Sequence, residues 1–352
     1  VQPLANELDP GSETEDLGIL IEGNDRVWSV VDARSSGSPT GFVVSEGHIG
    51  FLLMTDRMIG GQLNTLEMQT DWNLPLDPDG DGSETDRTAI FTSGSLDDAI
   101  ILDDLAGDAV VDDDVNNSLQ VIGGDVMGEI GIGGDANLLL AVDTGAGGGT
   151  FAANVEVDGT LNVMQAIGGD IAGDFLEVGQ DLNFLQTVHG DIESAINVGT
   201  NAGTILSIGA SPGGDINGPV DVHGRMDALV AVNGHLRGDV DVGGSLDTVY
   251  VGRNMTGDLS VGGTMGTVRV DRNVSGSHIQ VRRDFNDLSI GDSLDNSLVE
   301  VGRNLHNAFI QNDLDNSSLD ANPLGVVFVG GRIRQDDTDG DQDFLASREP
   351  FW

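Results

Sequence analysis

A short phrase, Val240-Asp241-Val242-Gly243-Gly244-Ser245-Leu246, returns along the chain with its aliphatic and turn-forming places kept. It reappears as Val251-Gly252-Arg253-Asn254-Met255, then as Val261-Gly262-Gly263-Thr264-Met265, and onward to Val301-Gly302-Arg303-Asn304-Leu305. The aliphatic anchors at 242, 251, 261, 270, 281, 290, 301 and 310 step by 9 to 11 residues. Two steps make about 20 residues, the length of one solenoid coil. Upstream, the same spacing fits Val232, Val222, Ile208, Val198, Val188, Val178, Ile167, Val157, Val142, Ile132, Ile122, Val111 and Ile101. Two longer steps fall at 144–154 and 210–217, where a stack of coils expels extra residues as loops.

Each half-repeat has a physical reading. Val-x-Val is a strand with both valines on one side. The glycine that usually follows permits a sharp corner, and the next Leu, Met, Ile or Val re-enters the interior. A coil built this way buries about six aliphatic side chains. It cannot bury its own face, so coils must stack. The expected fold is all-β: a parallel β-solenoid, or β-helix, of about 20 residues per coil, with a non-repeat N-terminal β segment.

Four regions follow. Residues 1–70 read as an N-terminal β cap or assembly segment. There 19–21 and 27–31 flank a hairpin turn at Glu22-Gly23-Asn24-Asp25, with further strands at 42–44 and 49–54. Such a segment covers the first coil's open edge or pairs it with another chain. Residues 71–98 read as an acidic linker, 99–334 as the solenoid, and 335–352 as an acidic tail ending in Phe351-Trp352. The start at Val1, without a methionine or leader, fits a processed or partial chain.

Charge excludes several function classes. Of 352 residues, 59 are acidic and 15 basic, and every basic residue is arginine. A net charge of −44 opposes binding to nucleic acid or anionic lipid, and favours divalent cations. No apolar run is long enough to span a membrane. Cysteine is absent, so there is no disulfide framework.

The strongest local motif lies in the linker, at Asp77-Pro78-Asp79-Gly80-Asp81-Gly82-Ser83. Alternate carboxylates on a tight loop converge on one hard cation, and glycine at the sixth place allows the turn. The stretch resembles the calcium loops of EF-hand, dockerin and thrombospondin type 3 modules. By that resemblance Asp77, Asp79 and Asp81 give side-chain oxygens and Ser83 its carbonyl. Thr88 stands where those loops carry a bidentate glutamate, so either Asp86 substitutes as a ligand or the site is weaker. A second alternation, Asp337, Asp339, Asp341 and Asp343, repeats the pattern without glycine at the sixth place. Ca2+ is therefore the expected cofactor at both loops. The alternative at each is a solvated acidic segment.

Other features read as structure. The Gly-Gly-Asp phrases at 123–125, 133–135, 168–170 and 213–215 lack the spacing of the nonapeptide calcium β-roll. They read as corners in which aspartate bonds its own turn. Arg253 and Arg272 lie one coil apart, as do Arg283 and Arg303, so their guanidinium groups stack beside aspartate rows or make surface pairs. His189 and His223 hold equivalent places after an anchor valine. Asn116, Asn254, Asn273 and Asn316 match the glycosylation acceptor pattern.

No nucleophile elbow, phosphate loop or His-Glu metal motif is present, and the coils carry no lysine and a single tyrosine, Tyr250. The expected protein is not an enzyme. By architecture and composition it resembles secreted repeat proteins of bacterial surfaces. That resemblance implies an extracellular structural subunit whose partner is itself, polymerised into a filament, sheath or surface layer and stabilised by calcium. The alternatives are a monomeric adhesin-like stalk that binds carbohydrate or protein, and a carbohydrate-active β-helix enzyme. An acidic, lysine-free composition also suits a salt-adapted cytoplasm.

Overall fold

The computed structural model describes residues 88–334, apart from 144, 146, 147, 211 and 212, and six flanking strands: Gln2–Leu4, Leu17–Ile21, Val30–Asp32, Thr40–Ser45, Ile49–Met54 and Leu345–Ala346. Among the described residues there is no helix. The strands pair in parallel as a β-solenoid of about 12 turns, about 20 residues apart. The chain divides into two compact units, Val1–Val178 and Gly179–Trp352.

One coil of the second unit shows the plan. Val240–Val242 forms a short strand, 243–245 a first corner, and Leu246–Val251 a longer strand. A second corner at 252–254 leads to Met255, a single residue on a third side, and the next coil begins at Leu259–Val261. The interior receives Val240 and Val242 from the short side, Leu246, Val249 and Val251 from the long side, and Met255 from the third. None is more than 2% exposed. Burying each contributes about 1.5–3 kcal/mol before the entropy of ordering is set against it.

Register repeats this coil faithfully. Val242 pairs with Val261, and Val261 with Val281. Leu246 pairs with Met265, Met265 with Phe285, and Phe285 with Leu305. On the third side Ile192, Ile216, Leu236, Met255 and Val274 bridge in turn. From Val274 onward that side widens to two-residue strands, Val274–Ser275, Leu294–Asp295, Leu314–Asp315 and Ile333–Arg334. Its exit turn then uses a left-handed residue, Gly276, Asn296 or Asn316, and glycine and asparagine adopt that conformation most readily.

The first unit follows the same plan. Its short strands include Asp108–Val111, Ile130–Ile132, Val155–Val157 and Phe175–Val178. Its long strands include Val115–Ile122, Ala136–Val142 and Leu161–Ile167. Leu105, Val126, Phe151 and Ile171 form the third side. Both expected insertions are present. Ile130 and Val155 pair 25 residues apart, and in the second unit Ile196 and Val220 pair 24 apart.

The coil has three sides, because the second aliphatic residue of alternate half-repeats forms its own ladder. Two expectations are corrected. The described strands Leu17–Ile21 and Val30–Asp32, expected as a hairpin, lie in different sheets: Leu17–Ile21 pairs in parallel with Thr40–Ser45, and Val30–Asp32 with Ile49–Met54. These strands extend the same two sheets, since Thr40–Ser45 also pairs with Thr88–Thr92 and Ile49–Met54 with Leu96–Ile101. The outermost strand, Gln2–Leu4, is antiparallel to Leu17–Ile21. Finally, His189 and His223 are not equivalent. His189 is left-handed (φ 68°) just after a long strand, whereas His223 follows a short one.

Candidate interaction surfaces

The polar residues at the corners hold one coil to the next. The corner before the third side carries the most continuous ladder. The Asp191 carboxylate accepts from the Asp215 N–H (2.8 Å), and the Asp215 carboxylate from the His235 N–H (2.7 Å). His235 Nδ1 accepts from Asn254 N–H (3.3 Å), and Asn254 Oδ1 from Asn273 N–H (3.3 Å). Asn273 Oδ1 accepts from Ser293 N–H, Ser293 Oγ from Asp313 N–H, and Asp313 from Arg332 N–H. Every rung thus satisfies a backbone donor that the turn leaves unpaired.

The other corners repeat the device. At the first corner Asp114 caps Asp135 and Asp135 caps Thr160 in the first unit, and Asp284 caps Asn304 in the second. At the corner after the third side Asp239 caps Asp258, which caps His278. Three of the Gly-Gly-Asp aspartates bond the next coil's backbone: Asp125 caps Thr150, Asp135 caps Thr160 and Asp215 caps His235. A parallel stack brings that N–H over the carboxylate: the Thr150 N–H lies 2.9 Å from Asp125 Oδ1. The glycosylation-like asparagines belong to the same scheme. Asn254 and Asn273 are ladder acceptors, Asn116 donates to Asp97, and Asn316 donates to Asn296.

The ladders tune their own charges. Hydrogen bonds from Thr200 and then Asn201 hold the Asp181 carboxyl below its ordinary value. The Asn304 backbone and side chain do the same for Asp284, with a smaller contribution from Arg303. Burial lowers His235, against the pull of Asp215. Asp112 is raised by burial and by its neighbour Asp113.

The outward rows of the long strands form the second feature. In the first unit Ile122, Val142 and Ile167 stand in register, as do Leu138 and Val163, all half-buried on the outer face. Three of these are anchors expected inside. Their inward places are taken by the preceding residues Val121, Ala141 and Ala166. The same exchange puts Thr187, Ser207 and Ala231 inside the second unit in place of Val188, Ile208 and Val232. In later coils the outward row reads Tyr250, Arg269, Ser289, Phe309 and Phe328. Arg269 lies 5.7 Å from the centre of the Tyr250 ring, and Tyr250 donates to Asp271. Phe309 and Phe328 stack at 4.9 Å with their planes 6° apart, each about half exposed.

The third feature is the last rung of the long side. Leu324–Val329 ends its sheet. Its residues Leu324, Val327 and Val329 occupy the places of Leu305, Ala308 and Ile310, which are at most 2% exposed. In the last rung all three are only half-buried, and Val326 is 68% exposed. A shallow polar groove of about 220 Å³ runs down the third-side corner of the first unit, past Glu129, Asn154 and Asp174. It brings no reactive side chains together.

The expected calcium ligands, Asp77, Asp79, Asp81, Ser83, Asp86, Asp337, Asp339, Asp341 and Asp343, lie outside the described residues. Their places in the chain are informative. Residues 55–87 connect a long strand, Ile49–Met54, to a short one, Thr88–Thr92; 335–344 connect the third-side strand Ile333–Arg334 to the short strand Leu345–Ala346. The first segment therefore lies between a long strand and a short one, and the second between a third-side strand and a short one. Among the described residues no group of three or more metal-binding side chains gathers. Nor is any helix among the described residues long and apolar enough to cross a membrane.

The members of each arginine pair lie on adjacent coils: the Arg272 N–H donates to the Arg253 carbonyl and the Arg303 N–H to the Arg283 carbonyl. The sequence reading missed a larger asymmetry. Residues 88–224 hold 22 acidic residues and no lysine or arginine, whereas 225–334 hold ten arginines against 14 acids. Counting charge by coil reveals it. No family model matches the chain, and neither a curated protein nor a solved structure matches it.

Proposed function

We propose that the chain is a non-enzymatic structural subunit, exported to the cell surface, whose copies stack end to end into a filament, sheath or surface layer held by calcium. The observation that carries this reading is the open rung at Leu324–Val329. Within the second unit every long strand receives the next in the same register. Among the described residues the last one, Leu324–Val329, ends the sheet and offers the same backbone edge and the same inward aliphatic residues to whatever follows. The geometric complement of such a rung is another coil of this chain, and an unprotected edge strand is a template for strand addition. The acidic loops support the calcium part, because a divalent cation at a joint offsets the repulsion between copies that each carry −44.

Negative-stain electron microscopy of the full chain, with calcium and after chelation, tests the proposal. Long regular assemblies that disperse on chelation are expected. Val327→Arg sets a charge on the open rung and should shorten them. Isolated particles under both conditions would sink the reading in favour of a monomeric stalk.

A further inference from the structure

The outer faces of the long strands in the two units are chemical counterparts. In the first unit the half-buried aliphatic rows at Ile122, Val142 and Ile167, and at Leu138 and Val163, run between two acidic corners. Asp112, Asp113 and Asp158 are exposed at the corner before the strand, and Asp103, Asp125 and Asp170 stand at the corner after it. No arginine or lysine occurs between 88 and 224. In the second unit the Phe309–Phe328 stack takes the middle of the face. Exposed arginines border it, with Arg282, Arg283 and Arg303 before the strand and Arg272 after it. Arg272, Arg282 and Arg283 make no ion pair or side-chain hydrogen bond among the described residues. The acids beside them are already engaged: Asp271 with Arg269 and Tyr250, Asp284 with Asn304, and Asp292 with Asn312.

Parallel sheets are ordinarily covered on both faces, and an outward aliphatic row makes sense when something packs on it. Unpaired guanidinium groups in a chain of net charge −44 point to an acidic partner. We infer that the long-strand face of the first unit in one copy packs on the long-strand face of the second unit in another copy. The aliphatic rows meet the phenylalanine stack, and the aspartate corners meet the arginine corners. Salt screens charges beyond about 10 Å at 0.1 M, so the contacting corners decide the encounter rather than the summed repulsion. The contact is heterologous, because the two surfaces that meet are different. It uses a different surface from the end rung, and stands or falls separately.

Charge reversal tests it. The full chain carrying Val327→Arg, introduced to weaken any end-to-end stacking, is followed by sedimentation velocity at about 0.1 M NaCl. Into it are placed either R272E/R282E/R283E or D112R/D113R/D158R, with circular dichroism confirming that both fold. The parent should self-associate, and each reversed set alone should weaken association by roughly tenfold or more. An equimolar mixture of the two should recover it, since each then presents the face the other lacks. A parent that stays monomeric, reversed chains that associate as the parent does, or a mixture that recovers nothing would overturn the inference. Loss of filaments in the microscope with this pairing intact would instead count against the end-to-end joint.

Discussion

Phe285→Ala is expected to lower the stability of the second unit by about 3–5 kcal/mol, the usual cost of removing a buried aromatic ring. Phe285 is fully buried and stands between Met265 and Leu305 in the long-side column. Neighbouring side chains cannot close the cavity, because the backbone on both sides is pinned. The Phe285 N–H donates to Asn304 O (2.8 Å), and the Met265 N–H to Asp284 O (2.9 Å). A solenoid is stabilised chiefly by nearest-neighbour contacts, so the damage should be greatest nearby. Hydrogen exchange should show lost protection centred on the coils around 265–305. A loss below about 1 kcal/mol in a denaturant titration would mean that residue 285 is not enclosed by the coils above and below it.

Gly238→Val should cost about 3 kcal/mol or more, for a different reason. A Cβ at Gly238 would fall on the carbonyl oxygen of Gly218 in the preceding coil, well inside van der Waals contact. The segment cannot draw back, since the Leu236 N–H donates to Asn254 O (3.1 Å) and the Arg237 N–H to Ile216 O (2.9 Å). Gly257 meets the Gly238 carbonyl in the same way, so the column of small residues sets how closely coils approach at this corner. Gly131 is the control. A Cβ there has nothing within 4 Å, and Gly131→Ala should leave stability within about 0.5 kcal/mol. Equal thermal shifts for the two substitutions would contradict the stacking distance.

Much of the fold was legible because aliphatic alternation survives in almost every coil. Val240 and Val242, or Leu259 and Val261, announce a one-sided strand without outside help, and both pairs are buried. What escaped reading has specific causes. Ala141 and Ala166 hold inward places beside the larger Val142 and Ile167, and a search guided by side-chain size chooses the wrong one of two adjacent residues. A third side made of one residue, such as Phe151 or Met255, leaves no period-two pattern to detect. The corner ladder is hidden because Asp215, His235, Asn254 and Ser293 do the same work, each offering an acceptor to the next coil, and share no residue type. The charge asymmetry and the arginine corners were present in the sequence, and only the coil register turns them into a face.

The account depends on residues one coil apart lying side by side in parallel strands. Cross-linking tests this most directly, because the chain has no cysteine. Asp241 and Ser260 face outward and pair across adjacent short strands. Neighbouring parallel strands lie about 4.8 Å apart, within the span a disulfide bridges. The account predicts that D241C/S260C oxidises within single molecules, in dilute solution, to a closed 19-residue register. A pair that stays reduced, or links only between molecules, would contradict it.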